Sequence, residues 1–250
     1  RWILSIPFQK SMRWAEVPIR FARPIHWILA LFGGEIVPFE VGNVQSGDVT
    51  HGHRFMHPGS FTVKDFKSYL GKTKEAYVIV DPVERKTRIE KEMTREGASV
   101  KGKVRRDEDL LNEVNFLVEY PVALCGRFDP KFLSLPREVV IHSMKEHQRY
   151  FPLEDDRGAL LPYFVCISNT DPKDRTMVVK GNERVLRARL SDANFFFQDD
   201  LKIPLEKRLE ELKKVVFQAR LGTSYEKVMR FTKLALFICE QVQPKLRQTV

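Results

Sequence analysis

The sequence predicts an α+β fold: a layered body of mixed strands and helices over residues 1–203, followed by helices over residues 204–250. Three observations predict it. Short apolar runs separated by turn-forming residues fill the first 60 positions. Charged helical patterns then alternate with apolar strands, and strand character is lost after Ile203-Pro204. The chain has 250 residues, 43% of them hydrophobic, which suffices for one large core or for a core and part of a second domain.

The first predicted elements are short strands joined by glycine and proline turns. Residues 25–32 and 35–41 flank Gly33-Gly34 as the two strands of a hairpin would. Apolar runs predict three further elements before residue 81: a strand at 51–56, a short helix at 63–70 and a buried strand at 76–80.

From Asp81 onwards, helices with one charged face alternate with strands. Pro82 is typical of the first turn of a helix, and this helix closes near Gly97. An Asp-Asp-Arg-Gly sequence at 155–158 has the composition of a hairpin turn. The remaining predicted elements are helices at 109–120, 136–147, 205–220 and 224–241 and strands at 122–125, 149–153 and 160–168.

The most informative helix is predicted over residues 182–197 (NERVLRARLSDANFFF). At 100° per residue, four apolar side chains form a narrow core stripe: Leu186, Leu190, Ala193 and Phe197. Arg184 and Arg187 fall on the opposite face without a partner in the sequence, so this face suits phosphate, although it would equally serve solubility. Arg189 and Asp192 are three residues apart and are predicted to form a structural ion pair.

The charge balance favours an anionic partner. Lys and Arg number 42 against 33 Asp and Glu, a formal charge of +9. Nucleic acid is the commonest partner of such a protein, and a basic enzyme without nucleic acid fits as well. The three cysteines are far apart among apolar neighbours, which indicates reduced core residues.

The chain shows no targeting or membrane signal. Neither a signal peptide nor an apolar run of about 20 residues is present, so we expect a cytoplasmic protein without membrane contact. The start at Arg1 without a methionine and the end in a polar segment predict an internal fragment of a longer protein.

A histidine-rich segment at 51–57 (HGHRFMH) suggests two kinds of site. His51 and His53 share one face of a strand, but no carboxylate or cysteine lies close enough in sequence to complete a tetrahedral metal site. Contacts of His53 and Arg54 with backbone or RNA fit better, and we predict no metal.

A second polar cluster, Lys145, His147 and Arg149, lies where a predicted helix becomes a strand, a position at which polar side chains are commonly exposed. A general acid–base role for His147 would require a neighbouring nucleophile or activated water. The GxSxG, P-loop, GxGxxG and HExxH motifs are all absent, so we assign no catalytic residue and no ATP site. Further upstream, Arg13 and Arg23 are interleaved with aromatic residues, which suits stacking with phosphate contact as well as an exposed strand pair.

Six ordered segments together resemble one family. They are KSMRW (10–14), FARPIHW (21–27), HGHRFM (51–56), SMKEHQRYFP (143–152), GNERVLRARLSDANFFF (181–197) and FQARLGTSYEK (217–227). The chain is similar in these segments to the β subunit of the bacterial, tetrameric glycyl-tRNA synthetase, and the resemblance covers essentially its whole length.

The resemblance implies an α2β2 enzyme that joins glycine to its tRNA using ATP. In that family the α subunit holds the active site, where ATP and Mg are expected, while the β subunit mainly grips tRNA(Gly); this fragment is therefore expected to hold no cofactor. Residues 1–203 are expected to be similar in fold to the editing domain of phenylalanyl-tRNA synthetase. Residues 204–250 are expected to begin an all-α, HD-type domain.

Three roles remain open for the fragment. The favoured role is a non-catalytic module for tRNA binding and subunit assembly, whose phosphate or subunit contacts would come from Arg13, Arg23, His53, Arg54, Lys145, His147, Arg149, Arg184 and Arg187. The second is an editing hydrolase that acts on mischarged tRNA, with His147 or His53 as the residue to test. The third is a purely structural brace for the α subunits.

Overall fold

The computed structural model describes residues 1–243 and shows a mixed α+β protein, which confirms the predicted fold class. The chain divides into two compact units, Arg1–Leu190 and Ser191–Val250, and residues up to 243 of the second are described. The division falls within a long helix, whereas the sequence suggested a boundary near residue 203.

The helices and strands are mostly short, with three long helices among them. The helices are α1 (Trp2–Ser5), α2 (Phe66–Glu75), α3 (Pro82–Ser99), α4 (Glu108–Leu117), α5 (Arg137–Gln148), α6 (Arg175–Asp200), α7 (Leu205–Arg208) and α8 (Ser224–Val242), with 3-10 turns at Pro130–Ser134 and Leu209–Lys214. The strands are β1 (Ile28–Leu29), β2 (Leu31–Phe32), β3 (Glu35–Ile36), β4 (Glu40–Val41), β5 (Val44–Gly47), β6 (Val49–His51), β7 (Ser60–Thr62), β8 (Lys103–Val104), β9 (Val122–Arg127), β10 (Phe151–Glu154), β11 (Leu160–Ser168), β12 (Val216–Gln218) and β13 (Gly222–Thr223).

A four-stranded antiparallel sheet, in the order β8-β10-β11-β9, forms the centre of the first unit. Helices α3 and α4 cover one face of this sheet. The core there contains Ile89, Met93, Leu110, Leu111, Val114, Phe151, Leu153 and Val165. Because successive strand residues point to opposite faces, Phe164 and Cys166 lie on the other side. There Tyr150 stacks on Phe164 with ring centroids 4.6 Å apart, and Asn182 Nδ2 of α6 donates to Cys166 Sγ at 3.1 Å.

Side-chain caps explain where the central helices begin. The Asp81 carboxylate accepts a hydrogen bond from the Val83 N–H at 2.8 Å, and Pro82 occupies the first turn of α3. Asp107 caps α4 in the same way through the Leu110 N–H at 3.0 Å. The helices predicted from Pro82 and at 109–120 are therefore confirmed to within a few residues.

Residues 76–80, predicted to form a buried strand, belong to no strand. Ala76 and Ile79 are buried, as the apolar pattern requires. The Ile79 carbonyl, however, accepts a hydrogen bond from the buried Arg85 guanidinium at 2.6 Å, and its N–H donates to the Glu119 carbonyl at 2.9 Å. The strand prediction was wrong because the Arg85 side chain and the Glu119 carbonyl, rather than a neighbouring strand, bond the backbone groups of Ile79.

Small sheets make up the N-terminal part of the first unit. Strands β2 and β3 form the predicted hairpin across Gly33 and Gly34, whose φ values of +60° and +88° favour glycine. Strand β5 pairs with β1 and β4, and β6 pairs with β7. The strand predicted at 51–56 is wrong, because β6 covers Val49–His51 and the following residues form the turn that leads the chain back towards β7.

The second unit begins differently from the prediction. The helix predicted at 205–220 is wrong, since the chain forms only α7 and a 3-10 turn before β12 pairs with β13. The reason lies in the turn between these strands. There Gln218 Oε1 accepts hydrogen bonds from the N–H groups of Arg220 and Leu221, at 2.7 and 2.9 Å, and Gly222 follows with φ +82°.

Helix α8 matches the helix predicted at 224–241. It begins with a capping box in which Thr223 and Glu226 bond to each other's backbone N–H groups. None of the described residues from 191 onwards is buried. Across the described part of the chain, no helix has the combination of length and apolarity that crossing a bilayer demands.

Candidate functional site

A pocket of about 630 Å³ opens in the first unit, and we call it the indole pocket. Its lining residues are His26, Trp27, His51, Gly52, Arg54, His57, Pro58 and Gly59. Two separate stretches of sequence converge here, one before β1 and the other between β6 and β7. The lining includes one guanidinium and three imidazoles but no carboxylate, so its only formal charge at neutral pH is positive.

The indole of Trp27 is fixed by its neighbours and nevertheless half exposed. Its Nε1–H donates to Thr50 Oγ1 at 3.2 Å, and its ring centroid lies 4.4 Å from that of His51 at an interplanar angle of 52°. The residue keeps 47% of its surface in solvent. A large aromatic side chain held in this way presents a preformed surface for another ring.

His53 holds the loop that carries the pocket, and it is itself almost entirely buried, with 1% of its surface exposed. Its Nδ1 accepts hydrogen bonds from the N–H groups of Phe55 and Met56, both at 3.2 Å. Its Nε2 lies 2.8 Å from the Asn169 carbonyl, which requires the proton on Nε2. Both ring nitrogens are thus occupied within the protein. Of the two contacts considered for His53, backbone or RNA, the structure shows the backbone contact, and the residue organises the loop from within.

The loop also requires glycine at position 52. A Cβ there would lie 2.6 Å from the Ala76 Cβ and 2.9 Å from both the Ala76 carbonyl oxygen and His57 Nδ1. The His53 N–H donates to the same Ala76 carbonyl at 2.8 Å. The buried segment around Ala76 therefore supports the floor of the indole pocket.

Arg54 provides the free charge of the pocket. It is exposed, its guanidinium lies 6.0 Å from the Phe55 ring centroid, and it forms no ion pair with any described residue. Phe55 beside it is 76% exposed and does not line the pocket. Arg54 is thus the sequence-predicted cation that the structure brings next to exposed aromatic rings.

Near the end of α5, two members of the predicted polar cluster, Lys145 and Arg149, form ion pairs. Lys145 Nζ lies 2.8 Å from Asp107 Oδ2, and Arg149 Nε lies 2.8 Å from Glu113 Oε1. Burial acts to raise the pKa of Asp107, but hydrogen bonds from Lys145 and from the Leu110 N–H outweigh it and hold the pKa below its ordinary value. Both cations are therefore paired with carboxylates at α4 and are not free to bind a ligand. The local sequence could not reveal this, because these carboxylates are distant in sequence.

His147, the third member of this cluster, is exposed and has no catalytic setting among the described residues. Its ring makes an edge contact with His142 at 5.8 Å, and no hydrogen bond to it is present in this part of the chain. The nearby Ser143 hydroxyl is buried and donates to the Val139 carbonyl of its own helix at 2.8 Å. The described geometry therefore assembles no nucleophile beside His147.

The α6 arginines differ from one another. Leu186 and Leu190 are fully buried, which confirms these two positions of the predicted core stripe, whereas Ala193 and Phe197 are partly exposed. Arg184 is exposed and forms no ion pair with a described residue.

Arg187 has two acidic neighbours: Glu183, which lies four residues earlier on the same helix and could have been selected from the sequence, and Asp129, which is distant in sequence. It lines a second pocket, of about 420 Å³, together with Asp129, Glu183 and Arg127. The N–H and ammonium groups of Lys131, and more weakly Arg187, hold the pKa of Asp129 below its ordinary value. Arg187 is therefore partly compensated, although its side chain is exposed.

The predicted ion pair between Arg189 and Asp192 is not formed. Both side chains are exposed, and no ion pair joins them in the described structure. Its absence costs the helix little, because an exposed pair three residues apart on a helix gains only about 0.2–0.5 kcal/mol.

The remaining predicted cations, Arg13 and Arg23, are exposed and lie outside the indole pocket. Neither forms an ion pair with a described residue. The strand pair considered for this region is reduced to a single bridge between Met12 and Phe21. These arginines stay available to an anion, but the structure does not bring them to the pocket.

Cys125 and Cys166 are not activated thiols, and the described residues contain no metal-binding cluster. Burial raises the pKa of Cys125 to about 11 and that of Cys166 to about 12, so both thiols are protonated at neutral pH. No set of three or more histidine, cysteine or acidic side chains in the described residues has the geometry of a metal site.

The sequence did not predict that His26, Trp27, His51 and His57 line one pocket. The signal was present, because FARPIHW and HGHRFM both belong to the six ordered segments quoted above. What the sequence could not give was their convergence. The geometry defines a basic α+β protein whose preformed aromatic pocket suits a ligand with a flat ring and a negative charge.

Comparison with known proteins assigns this chain to a family. A model described as glycyl-tRNA synthetase beta subunit matches residues 1–250, and the chain therefore belongs to that family.

Curated relatives agree along the whole chain. The glycine–tRNA ligase beta subunit of Syntrophus aciditrophicus is 54% identical over 250 residues, that of Geotalea daltonii 56% over 250, and that of Geobacter sulfurreducens 54% over 247. These alignments cover 99–100% of this chain but 36% of each relative. The chain thus spans about a third of the length of the relatives it matches.

Proposed function

We propose that this chain is the part of a glycine–tRNA ligase β subunit that binds tRNA(Gly) and contributes to subunit assembly, without holding the catalytic site. In this proposal the complete enzyme is a cytoplasmic α2β2 ligase of ATP, glycine and tRNA, and ATP with Mg is bound by the α subunit. The likeness of residues 1–203 to an editing domain and the HD-type character of the following residues stay predictions within it.

The observation that carries the proposal is the carboxylate-free indole pocket with Arg54 at its edge. Binding to an RNA backbone is driven by cations that neutralise phosphates and release counterions. A cation already paired with a carboxylate contributes little to this, which applies to Lys145 and Arg149. Arg54 and Arg184 are exposed without such a pair in the described residues, so they are the best supported phosphate contacts.

Exposed apolar side chains of the second unit support the assembly part of the proposal. On α8, Phe231, Leu234 and Phe237 keep 56%, 58% and 62% of their surface in solvent. Exposed large apolar side chains of this kind suit a contact with further protein, either the rest of the β subunit or a second subunit. A purely structural brace for the α subunits would use the same surface. A measurement of tRNA binding distinguishes this brace from a module that binds tRNA as well.

The decisive experiment measures tRNA(Gly) affinity of the assembled ligase as a function of salt. Arg54→Glu in the complete β subunit is expected to weaken binding at least 10-fold and to reduce the slope of log K against log[salt] by about 1. Arg184→Glu tests the α6 surface in the same way.

The matched control is Arg157→Glu, which makes the same change of charge on the exposed β10–β11 turn. Its affinity and slope should stay at the wild-type values. Wild-type behaviour of Arg54→Glu and Arg184→Glu would contradict tRNA binding by this region and favour the structural brace. An equal loss in all three variants would assign the effect to net charge alone.

The alternative of an editing hydrolase has less support. His53 has both ring nitrogens in hydrogen bonds, and His147 has no partner other than the ring of His142 among the described residues. If the complete ligase deacylated alanyl- or seryl-tRNA faster than buffer, and His147→Ala abolished this rate, editing would replace the proposal.

A further inference from the structure

The indole pocket combines a suitable volume with a fixed aromatic surface. A cavity of about 630 Å³ lies within the range of roughly 300–1,000 Å³ that is typical of sites for small molecules, and so it admits one nucleotide but not a duplex. The flat surface inside it is Trp27, which the hydrogen bond to Thr50 fixes in place. Base stacking needs such a platform, and it tolerates any base because every base has a π face.

The polar atoms of the pocket are not used by the protein. His26 and His51 make ring contacts with Trp27 but no side-chain hydrogen bond to a described residue. His57 Nδ1 is buried and has no hydrogen-bond partner in the described structure. Imidazole nitrogens can both donate and accept, so the exposed rings of His26 and His51 can bond the edge of a base, whereas Arg54 can bind its phosphate.

The absence of carboxylates from the lining distinguishes this pocket from the second one. The pocket beside Arg187 contains Asp129 and Glu183, which would repel a phosphate. The indole pocket combines a fixed aromatic surface, free ring nitrogens and an unpaired guanidinium. Only a ligand that is flat at one end and anionic at the other uses all three features.

We propose that the indole pocket binds one unpaired nucleotide of the tRNA, with its base stacked on Trp27 and its phosphate on Arg54. This rests on the proposed function and deepens it, because binding of the tRNA backbone alone would need neither an aromatic surface nor a cavity. A free mononucleotide has the same chemistry, and the experiment separates these two sources.

The test uses the assembled ligase with full-length β subunit and compares three variants. Trp27→Leu is expected to weaken tRNA(Gly) binding about 10-fold while the salt slope stays unchanged, because stacking releases no counterions. Trp27→Phe retains a ring and should restore most of the affinity. Phe55→Leu is the matched control, since it removes an exposed aromatic residue next to the pocket but outside its lining.

A scan of single abasic nucleotides in the unpaired regions of tRNA(Gly) tests the same contact without changing the protein. Removal of one base should weaken wild-type binding about 10-fold and leave binding to Trp27→Leu unchanged, since the stacked pair is already lost. Adenosine monophosphate serves as the probe for a free nucleotide.

The outcomes decide between the possibilities. If Trp27→Leu and Phe55→Leu act alike, or if no abasic position couples to Trp27, the proposal is overturned. If adenosine monophosphate binds in a Trp27-dependent manner while tRNA affinity is independent of Trp27, the pocket serves a free nucleotide and the assignment to tRNA is overturned. In either case the salt dependence of Arg54→Glu and Arg184→Glu still tests the proposed function separately.

Discussion

Two basic regions of the first unit contain similar residue types but differ in what surrounds them. At the end of α5, Lys145 and Arg149 lie 2.8 Å from Asp107 and Glu113. In the indole pocket, Arg54 has histidines and Trp27 around it and no carboxylate in the lining. The α5 end has two formal cations and the pocket lining has one, yet only the cation of the pocket is without a carboxylate partner among the described residues.

The difference arises from elements distant in sequence. Asp107 and Glu113 come from the start and the body of α4, which packs beside the end of α5. The pocket instead borders the buried segment around Ala76, whose groups facing it are apolar or backbone. A basic side chain thus becomes part of the fold or stays free for a ligand according to the acidic residues that the topology brings to it.

The largest expected effect concerns the two histidines of the pocket loop. His53→Ala should lower the free energy of unfolding by about 3 kcal/mol, because it empties a buried site and leaves the Phe55 N–H, the Met56 N–H and the Asn169 carbonyl without partners. His51→Ala, at an exposed neighbouring position, should change it by less than about 0.5 kcal/mol. Urea denaturation of the β subunit at neutral pH measures both. Equal effects of the two substitutions would contradict a structural role specific to His53.

An intermediate effect is expected at the α5 end, where charge stabilises the fold. Asp107→Asn keeps a side chain that can cap α4 but removes the charge opposite Lys145, and should cost about 1 kcal/mol at pH 7. Because the folded-state pKa of Asp107 is lowered below 3.8, this contribution is present above that pH and is lost as the pH falls through the folded value.

Denaturation curves at pH 7 and at pH 3 check this second prediction. The stability difference between wild type and Asp107→Asn should narrow at the lower pH, while tRNA affinity at pH 7 stays unchanged. A difference that is constant over this range would show that the Asp107 charge does not contribute.

The extent to which the fold follows from the sequence depends on where each signal lies. Helix α3 and the hairpin at Gly33-Gly34 are encoded locally, by a proline with its capping aspartate and by two residues with positive φ. Residues 76–80 were predicted wrongly because Glu119, 40 residues further along the chain, and Arg85 bond their backbone, whereas the error at 205–220 was a missed local signal, the Gln218 turn. Propensity is a weak prior wherever tertiary contacts satisfy the backbone.

The candidate site shows the same limit at the level of side chains. The segments that build it, HGHRFM and FARPIHW, could be selected from the sequence, and so could Arg54. The sequence could not show which of these side chains are free to bind a ligand. His53 is buried, and Lys145 is paired with Asp107, a residue distant in sequence. Periodicity did predict the buried positions Leu186 and Leu190, because a helix core stripe is a local property.

The smallest expected effect on stability is that of Arg149, which we compare with Arg54 of the other basic region. Arg149→Gln should lower the free energy of unfolding by about 0.5 kcal/mol, since its pair with Glu113 is exposed. The effect should become smaller in 1 M salt, where screening acts over about 3 Å, although the hydrogen bond from Arg149 to the Glu146 carbonyl is not screened. Arg54→Gln, without such a pair, should leave stability unchanged and weaken tRNA(Gly) binding instead. Parallel denaturation and binding measurements on the assembled ligase distinguish the two. If Arg149→Gln weakened tRNA binding as much as Arg54→Gln, pairing with a carboxylate would not decide which cations meet the RNA.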